Sequence, residues 1–176
     1  DLIVVHMGGG VSVAAHHHGK CIDVFDVLDE GSMGLDRGGS LPVSSVVGLC
    51  FSGRSQEEIR RMISHEAGVS SYLGTKDFRK VEERAFSGQD PEALLIFRTL
   101  AYQLAKDAGA MAAVLHFHVD AIVLTGGMAY SEAFCGELGL YLKNLAPILR
   151  FPGEGEMKAL AEGALRVLHG QPALEY

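Results

Sequence analysis

The longest periodic pattern in the chain starts at Asp90-Pro91 and lines up Leu94, Leu95, Phe97, Leu100, Leu104, Ala108, Met111 and Leu115 on one wide apolar face. A helix of that kind crosses a core. Asp120 then leads into Ala121–Thr125, a run too short and too β-branched for a helix, which reads as a buried strand ending at Gly126-Gly127. At the other end of the chain, Leu2–His6, Val11–His16 and Cys21–Asp26 are short runs rich in valine and isoleucine, parted by Gly8–Gly10 and by His18-Gly19-Lys20. They read as a three-stranded antiparallel meander.

Between these ends the chain is mostly helical. Glu30 to Ser40 is glycine-rich and aperiodic, hence a loop. Pro42 suits the first turn of a helix over Val43–Phe51, and Ser55 with Glu58 forms a capping box ahead of Ile59, Met62 and Ile63, with a stop near Gly68. A third helix follows Asp77 and closes at Gly88. After the buried strand, Ser131 caps a helix through Leu142, Ile148–Phe151 makes a brief strand, and Glu156–His169 is a last helix halted by Gly170 and Pro172. Three antiparallel strands, several helices, then strand, helix, strand, helix is the order of an α/β ribonuclease-H-like layer, whose last part needs a parallel crossover. No repeat or linker divides the chain, so residues 1–176 are expected to form a single domain.

A net charge of −7 argues against extended nucleic-acid binding, while leaving room for a local site that holds one polyphosphate. The three cysteines, Cys21, Cys50 and Cys135, are widely spaced in apolar stretches and read as reduced core thiols, which points to the cytosol. No apolar run approaches the roughly 20 residues of a membrane-spanning helix. The chain opens at Asp1 directly into a strand-like run, which suggests a fragment of something longer.

Two glycine turns carry the chemistry. His6-Met7-Gly8-Gly9-Gly10-Val11-Ser12 puts three glycines after the first strand, where the missing Cβ atoms let phosphate oxygens reach backbone N–H groups and His6 can add a donor. Thr125-Gly126-Gly127-Met128-Ala129-Tyr130-Ser131 ends a buried strand and opens a helix N-terminus toward the same sheet edge. A plain hairpin and a plain strand-to-helix turn are the bland alternatives to each. Asp77-Phe78-Arg79 offers an acid, an aromatic face and a guanidinium at a helix start, although an N-cap with an apolar anchor accounts for the first two equally well. Arg37, in the glycine-rich loop, has the planar fork that suits a transferring phosphoryl group, or it is solvated and paired with Asp36. Glu154 and Glu156, after Pro152-Gly153, could hold Mg²⁺ through water, or merely complement a helix dipole. In His16-His17-His18, strand alternation points His16 and His18 one way and His17 the other, with no acidic or cysteine partner at ligand spacing, so the tract reads as strand. His116 and His118 are placed at the exposed C-terminal end of the long helix.

Taken together, His6–Ser12, Asp36–Pro42, Gly68–Arg79, Thr125–Ser131 and Pro152–Met157 resemble the C-terminal half of the acetate and butyrate kinases, the acetokinase family, in order and nearly end to end. Gly9, Met128-Ala129-Tyr130-Ser131 and Ala159–Leu168 look more like the butyrate kinase and branched-chain fatty acid kinase branch than the acetate kinases. The resemblance implies the duplicated ribonuclease-H-like fold of sugar kinases and actin, with ATP/ADP and Mg²⁺ as cofactors. It implies that His6, Gly8, Gly9, Gly10 and Ser12 lie along the phosphates and that Arg37 stabilises the transferring group. Asp77, Phe78 and Arg79 with Gly126, Gly127, Met128 and Tyr130 would surround adenosine, and Glu154 or Glu156 would be linked to Mg²⁺. The implied acceptor is butyrate or a similar short or branched carboxylate, converted reversibly to its acyl phosphate. The implied partners are the family's N-terminal half, which has no counterpart here, and further copies of the full-length protein. Alternatives are a sugar-type hydroxyl kinase, which needs a carboxylate base near its nucleophile, a nucleotide-sensing module without transfer, and a ribonuclease-type nuclease, which needs clustered acids that the first strand lacks.

Overall fold

The computed structural model describes residues 1–26, 30–153 and 155–172. Five strands form one mixed sheet in the order β3-β2-β1-β4-β5, with β1 at Leu2–Met7, β2 at Val11–His17, β3 at Lys20–Phe25, β4 at Ala121–Gly126 and β5 at Ile148–Pro152. The first three pair antiparallel, as the glycine and histidine turns demand, while β1, β4 and β5 run parallel. The expected ribonuclease-H-like layer is therefore present.

Alternation along β1 and β2 buries Ile3, Val5, Met7, Val11, Val13 and Ala15 on one face. Against that face lies α5, Pro91–Val114, through Phe97, Leu100, Ala101, Leu104, Ala108 and Met111. Asp90 caps it by accepting from the Ala93 N–H at 2.9 Å, and Pro91 occupies the first turn. Leu95, assigned to the apolar face from the sequence, is 63% exposed; Ala93 and Ile96 are buried instead. Phe78, Phe97 and Phe134 form a close aromatic group that joins α5 to α4 at Phe78–Phe86 and α6 at Glu132–Leu142.

The remaining helices are α1 at Val43–Cys50, α2 at Gln56–His65, α3 at Gly68–Leu73 and α7 at Glu156–Leu168. The Ser55/Glu58 capping box is formed in both directions. Gly68 does not simply stop α2; it opens α3, whose first amides are taken by the distant carbonyls of Gly34 and Leu35. Of the cysteines only Cys135 is buried, whereas Cys21 and Cys50 are exposed, so two of the three expected core thiols face solvent. β3 lies at the sheet edge and α1 buries no residue, which is why apolar neighbours in sequence did not make these sulfurs core. His18 also departs from strand alternation: β2 ends at His17, its register slips between Ala15 and His16, and His18 takes φ 48°. No helix among the described residues is long and apolar enough to cross a membrane.

Candidate nucleotide-binding cleft

The parallel pairing of β1 with β4 sets His6 directly beside Thr125. The glycine turn after β1 and the one after β4 therefore emerge side by side at one sheet edge. Gly126 is required there by geometry. Its φ of 88° and ψ of 178° belong to glycine alone, and a Cβ would lie 2.6 Å from the Met7 carbonyl carbon. Gly126 also exchanges both backbone hydrogen bonds with Gly153, at 3.1 and 3.0 Å, which brings the end of β5 to the same edge.

Two adjoining cavities share Gly9. The first, about 790 Å³, is bounded by Gly8, Gly9 and Leu35 on one side, by Asp77, Phe78, Arg79 and Glu82 of the α4 start, and by Gly127, Met128, Tyr130 and Glu132 opposite. The second, about 540 Å³, is bounded by His6, Gly9, Gly10, Thr125, Gly153 and Gly155, with Ala159 of α7. Their chemistry differs. Three carboxylates and one guanidinium rim the first, which also carries its apolar surface, whereas the described lining of the second is bare backbone, a histidine and a hydroxyl.

Local structure explains each side chain. Asp77 caps α4 from its side chain to the Arg79 N–H at 3.1 Å and also takes the Arg79 guanidinium at 3.3 Å. That guanidinium hydrogen bond, followed by the Arg79 N–H, holds the Asp77 carboxyl below its ordinary value. Phe78 is 9% exposed, stacked on Phe97 at 5.7 Å and edge-on to Phe134 at 5.0 Å, so it contributes a rim to the cleft and not a free stacking face. Gly127–Tyr130 forms a 3-10 turn that buries Met128 and Ala129 and leaves Tyr130 68% exposed over the cleft, its hydroxyl 3.0 Å from where a Gly153 Cβ would be. Ser131 then caps α6 by accepting from the Phe134 N–H at 2.9 Å.

In the first turn, Gly8 N–H donates to Gly10 carbonyl at 2.9 Å and is thereby occupied. Among the described residues no backbone carbonyl takes the Gly9 or Gly10 N–H, and a Cβ on Gly9 would meet nothing within 4 Å. Gly127 is open in the same way. Ser12 lies opposite His6 in the β1–β2 register, outside the described lining of both cavities. Arg37 also lies outside both linings, although the loop that carries it docks on the turn through Leu35 N–H to Gly9 carbonyl at 3.2 Å. Its neighbour Asp36 pairs with Lys76 at 3.4 Å, not with Arg37. Glu154 is outside the described residues, and of Glu156 only the backbone, at the start of α7, is described.

Sequence reasoning missed Leu35, Glu82 and Glu132 as cleft residues, and it held Thr125, Gly153 and Gly155 only as members of motifs without a role of their own. Gly153, next to Pro152 after a strand, was the readable signal; Glu82, one turn into α4, had none.

A mixed sheet of this order, with glycine turns closing both β1 and β4 at one end, is the layer of the ribonuclease-H-like fold. The acetokinase family model matches residues 1–147, and the chain belongs to that family. Butyrate kinase 1 of Clostridium acetobutylicum is 46% identical over 179 aligned positions, which take in all of this chain and 50% of that protein. The acetate kinase of Porphyromonas gingivalis superposes with a TM-score of 0.81 at 21% identity, covering 94% of this chain and 49% of that one. A propionate kinase of Francisella tularensis gives 0.77 at 24% identity, over 89% and 47%. The chain thus spans about half the length of the relatives it matches.

Proposed function

We propose that this chain is the nucleotide-binding half of a carboxylate kinase that passes the γ-phosphoryl group of ATP to butyrate or a similar short or branched fatty acid, giving acyl phosphate and ADP reversibly. The observation that carries the reading is the His6–Thr125 register, which brings both glycine turns to the walls of two cavities that share Gly9. The 46% identity to a butyrate kinase supports the acceptor class.

The charges orient the nucleotide. A polyphosphate is repelled by Asp77, Glu82 and Glu132, so adenosine occupies the first cavity, against Met128, Tyr130 and the Phe78 rim. The phosphates run over Gly9 into the second cavity, where the Gly9 and Gly10 amides and His6 can donate to them. Gly9 fits this role because its Cβ would project into open space, leaving bare backbone for an oxygen to approach. A carboxylate acceptor, with a pKa of about 4, is ionised at neutral pH and attacks without a general base. The protein's task is then alignment and neutralisation of charge on the transferring group, with Arg37 brought in from its docked loop. Gly155 and Ala159 of α7 line the phosphate cavity, which supports a role for Glu156, between them in the chain, as a hard oxygen ligand. Mg²⁺ held there, by Glu156 or Glu154, would supply charge neutralisation to the phosphate oxygens.

The carboxylate pocket is proposed to lie in the half of the relatives' length that this chain does not span, and the chain alone is expected to bind nucleotide without forming acyl phosphate. Calorimetric titration of the chain with MgADP tests the cleft, and an acyl phosphate assay of the full-length protein with butyrate, acetate and glucose tests the acceptor. Absence of nucleotide binding, or transfer to glucose in preference to butyrate, would overturn the reading.

A further inference from the structure

The end of the sheet away from the glycine turns collects a second set of reactive side chains. Asp1 precedes β1, the antiparallel partner strand β2 finishes beside it at His17, and α5 runs out toward His116 and His118 at the same end. Had β2 continued straight, His18 would share a face with His16. The register slip between Ala15 and His16 and the left-handed φ of His18 rotate it out of that pattern, and its N–H donates to the Asp1 carboxylate at 3.3 Å. His17 Nδ1 lies 2.9 Å from the same Asp1 oxygen, and the His17 and His18 rings sit 4.1 Å apart. One donor atom from each of Asp1, His17 and His18 thereby falls within 4.8 Å of the others. Beside them opens a cavity of about 250 Å³ whose lining includes Asp1, His17, His116 and His118.

We propose that Asp1, His17 and His18 form a binding site for a divalent cation of the zinc class, separate from the nucleotide cleft and independent of the kinase reading. Two imidazoles and one carboxylate are a borderline donor set that suits Zn²⁺ and disfavours Mg²⁺ and Ca²⁺, which take oxygen. Around a tetrahedral zinc with bonds of about 2.0–2.1 Å, donors sit roughly 3.3 Å apart, so closure from the present spacing needs only side-chain rotation of two exposed rings. Three protein ligands leave a fourth position for water, or for a histidine from the adjoining cavity. A bound ion would tie the start of β1 to the β2–β3 turn.

The test is calorimetric titration of the full 176-residue chain with Zn²⁺ alone, without nucleotide, paired with the visible absorption of Co²⁺ as a reporter of nitrogen and oxygen ligation. One equivalent should bind, and millimolar Mg²⁺ should not compete. The H17N/H18N double variant should bind at least about tenfold more weakly, D1N should also weaken binding, and H16N should bind as the parent does. All four positions lie at the end of the sheet away from the glycine turns, and the circular dichroism of each variant confirms that it is folded. Equal binding by the parent and the double variant, or an equal loss in H16N, would overturn the site.

Discussion

Glycine serves two different purposes in the cleft, and single substitutions separate them. At Gly126 the backbone lies in a region that only glycine populates, and any side chain would enter the Met7 peptide. Gly126→Ala should therefore destabilise the fold by at least the 1–3 kcal/mol typical of such strain, read as a lower urea midpoint with an unchanged slope. Gly9 and Gly127 have ordinary φ values and open space where a Cβ would go. Alanine there should leave the unfolding free energy within about 0.5 kcal/mol of the parent and weaken nucleotide binding tenfold or more, because the added methyl stands in the ligand's path. A large stability loss at Gly9 with unaltered binding would mean that the turn is structural and not a cradle.

At the level of elements, the caps were legible and the loop contacts were not. Ser55 with Glu58, Asp90 with Pro91, and Ser131 each fix a helix start within three or four residues, so sequence alone placed them. α3 was invisible because its first turn is completed from outside: Val69 and Ser70 donate to Gly34 and Leu35 at 3.1 and 2.8 Å, and Gly68 has φ 62° where a Cβ would meet the Gly34 and Arg37 carbonyls. The Arg37 loop is held from its other side by Asp107, whose carboxylate accepts from both the Ser32 N–H and hydroxyl at 2.7 and 2.5 Å. Burial pushes the Asp107 carboxyl above its ordinary value, with the Ser32 hydrogen bonds opposing. The sign follows: the native state holds this proton more tightly than the unfolded chain, so the stability attributable to Asp107 protonation is present on the acid side and is lost as pH rises through its folded value. Asp90 runs the other way. The Ala93 N–H, then Arg84, lower its value, so its contribution is present above the unfolded pKa and disappears as pH falls through the folded one. Asp107→Ala should raise hydrogen exchange over residues 30–40, because it leaves the Ser32 N–H and hydroxyl without their acceptor at a cost of about 1–3 kcal/mol, while amides of β1 and β4 stay protected. Asp90→Asn should flatten the acid limb of the stability curve; an unchanged limb would remove Asp90 from it.

Across the whole molecule, the sheet explains why the order of motifs in the sequence was informative while individual residue roles were less so. Strand order fixes which turns meet, and it follows from patterns spread over the chain; whether Phe78 presents a face to a ligand or to Phe97 depends on packing that no local motif encodes. The same sheet separates the cleft into an acidic, partly apolar cavity and a cavity of bare amides, and that polarity predicts how affinity divides along a nucleotide. Tyr130→Ala removes an exposed ring from the lining of the first cavity only, so it should weaken adenosine and ATP by the same factor, about 5-fold to 160-fold if the ring contributes roughly 1–3 kcal/mol as base stacking does. Gly10→Ala perturbs only the second cavity and should weaken ATP while leaving adenosine unaffected. Competition titrations with both ligands on both variants give four numbers, and the orientation predicts one pattern among them. If Gly10→Ala reduced adenosine affinity as much as ATP affinity, the nucleotide would have to lie the other way round, with its phosphates facing Asp77, Glu82 and Glu132.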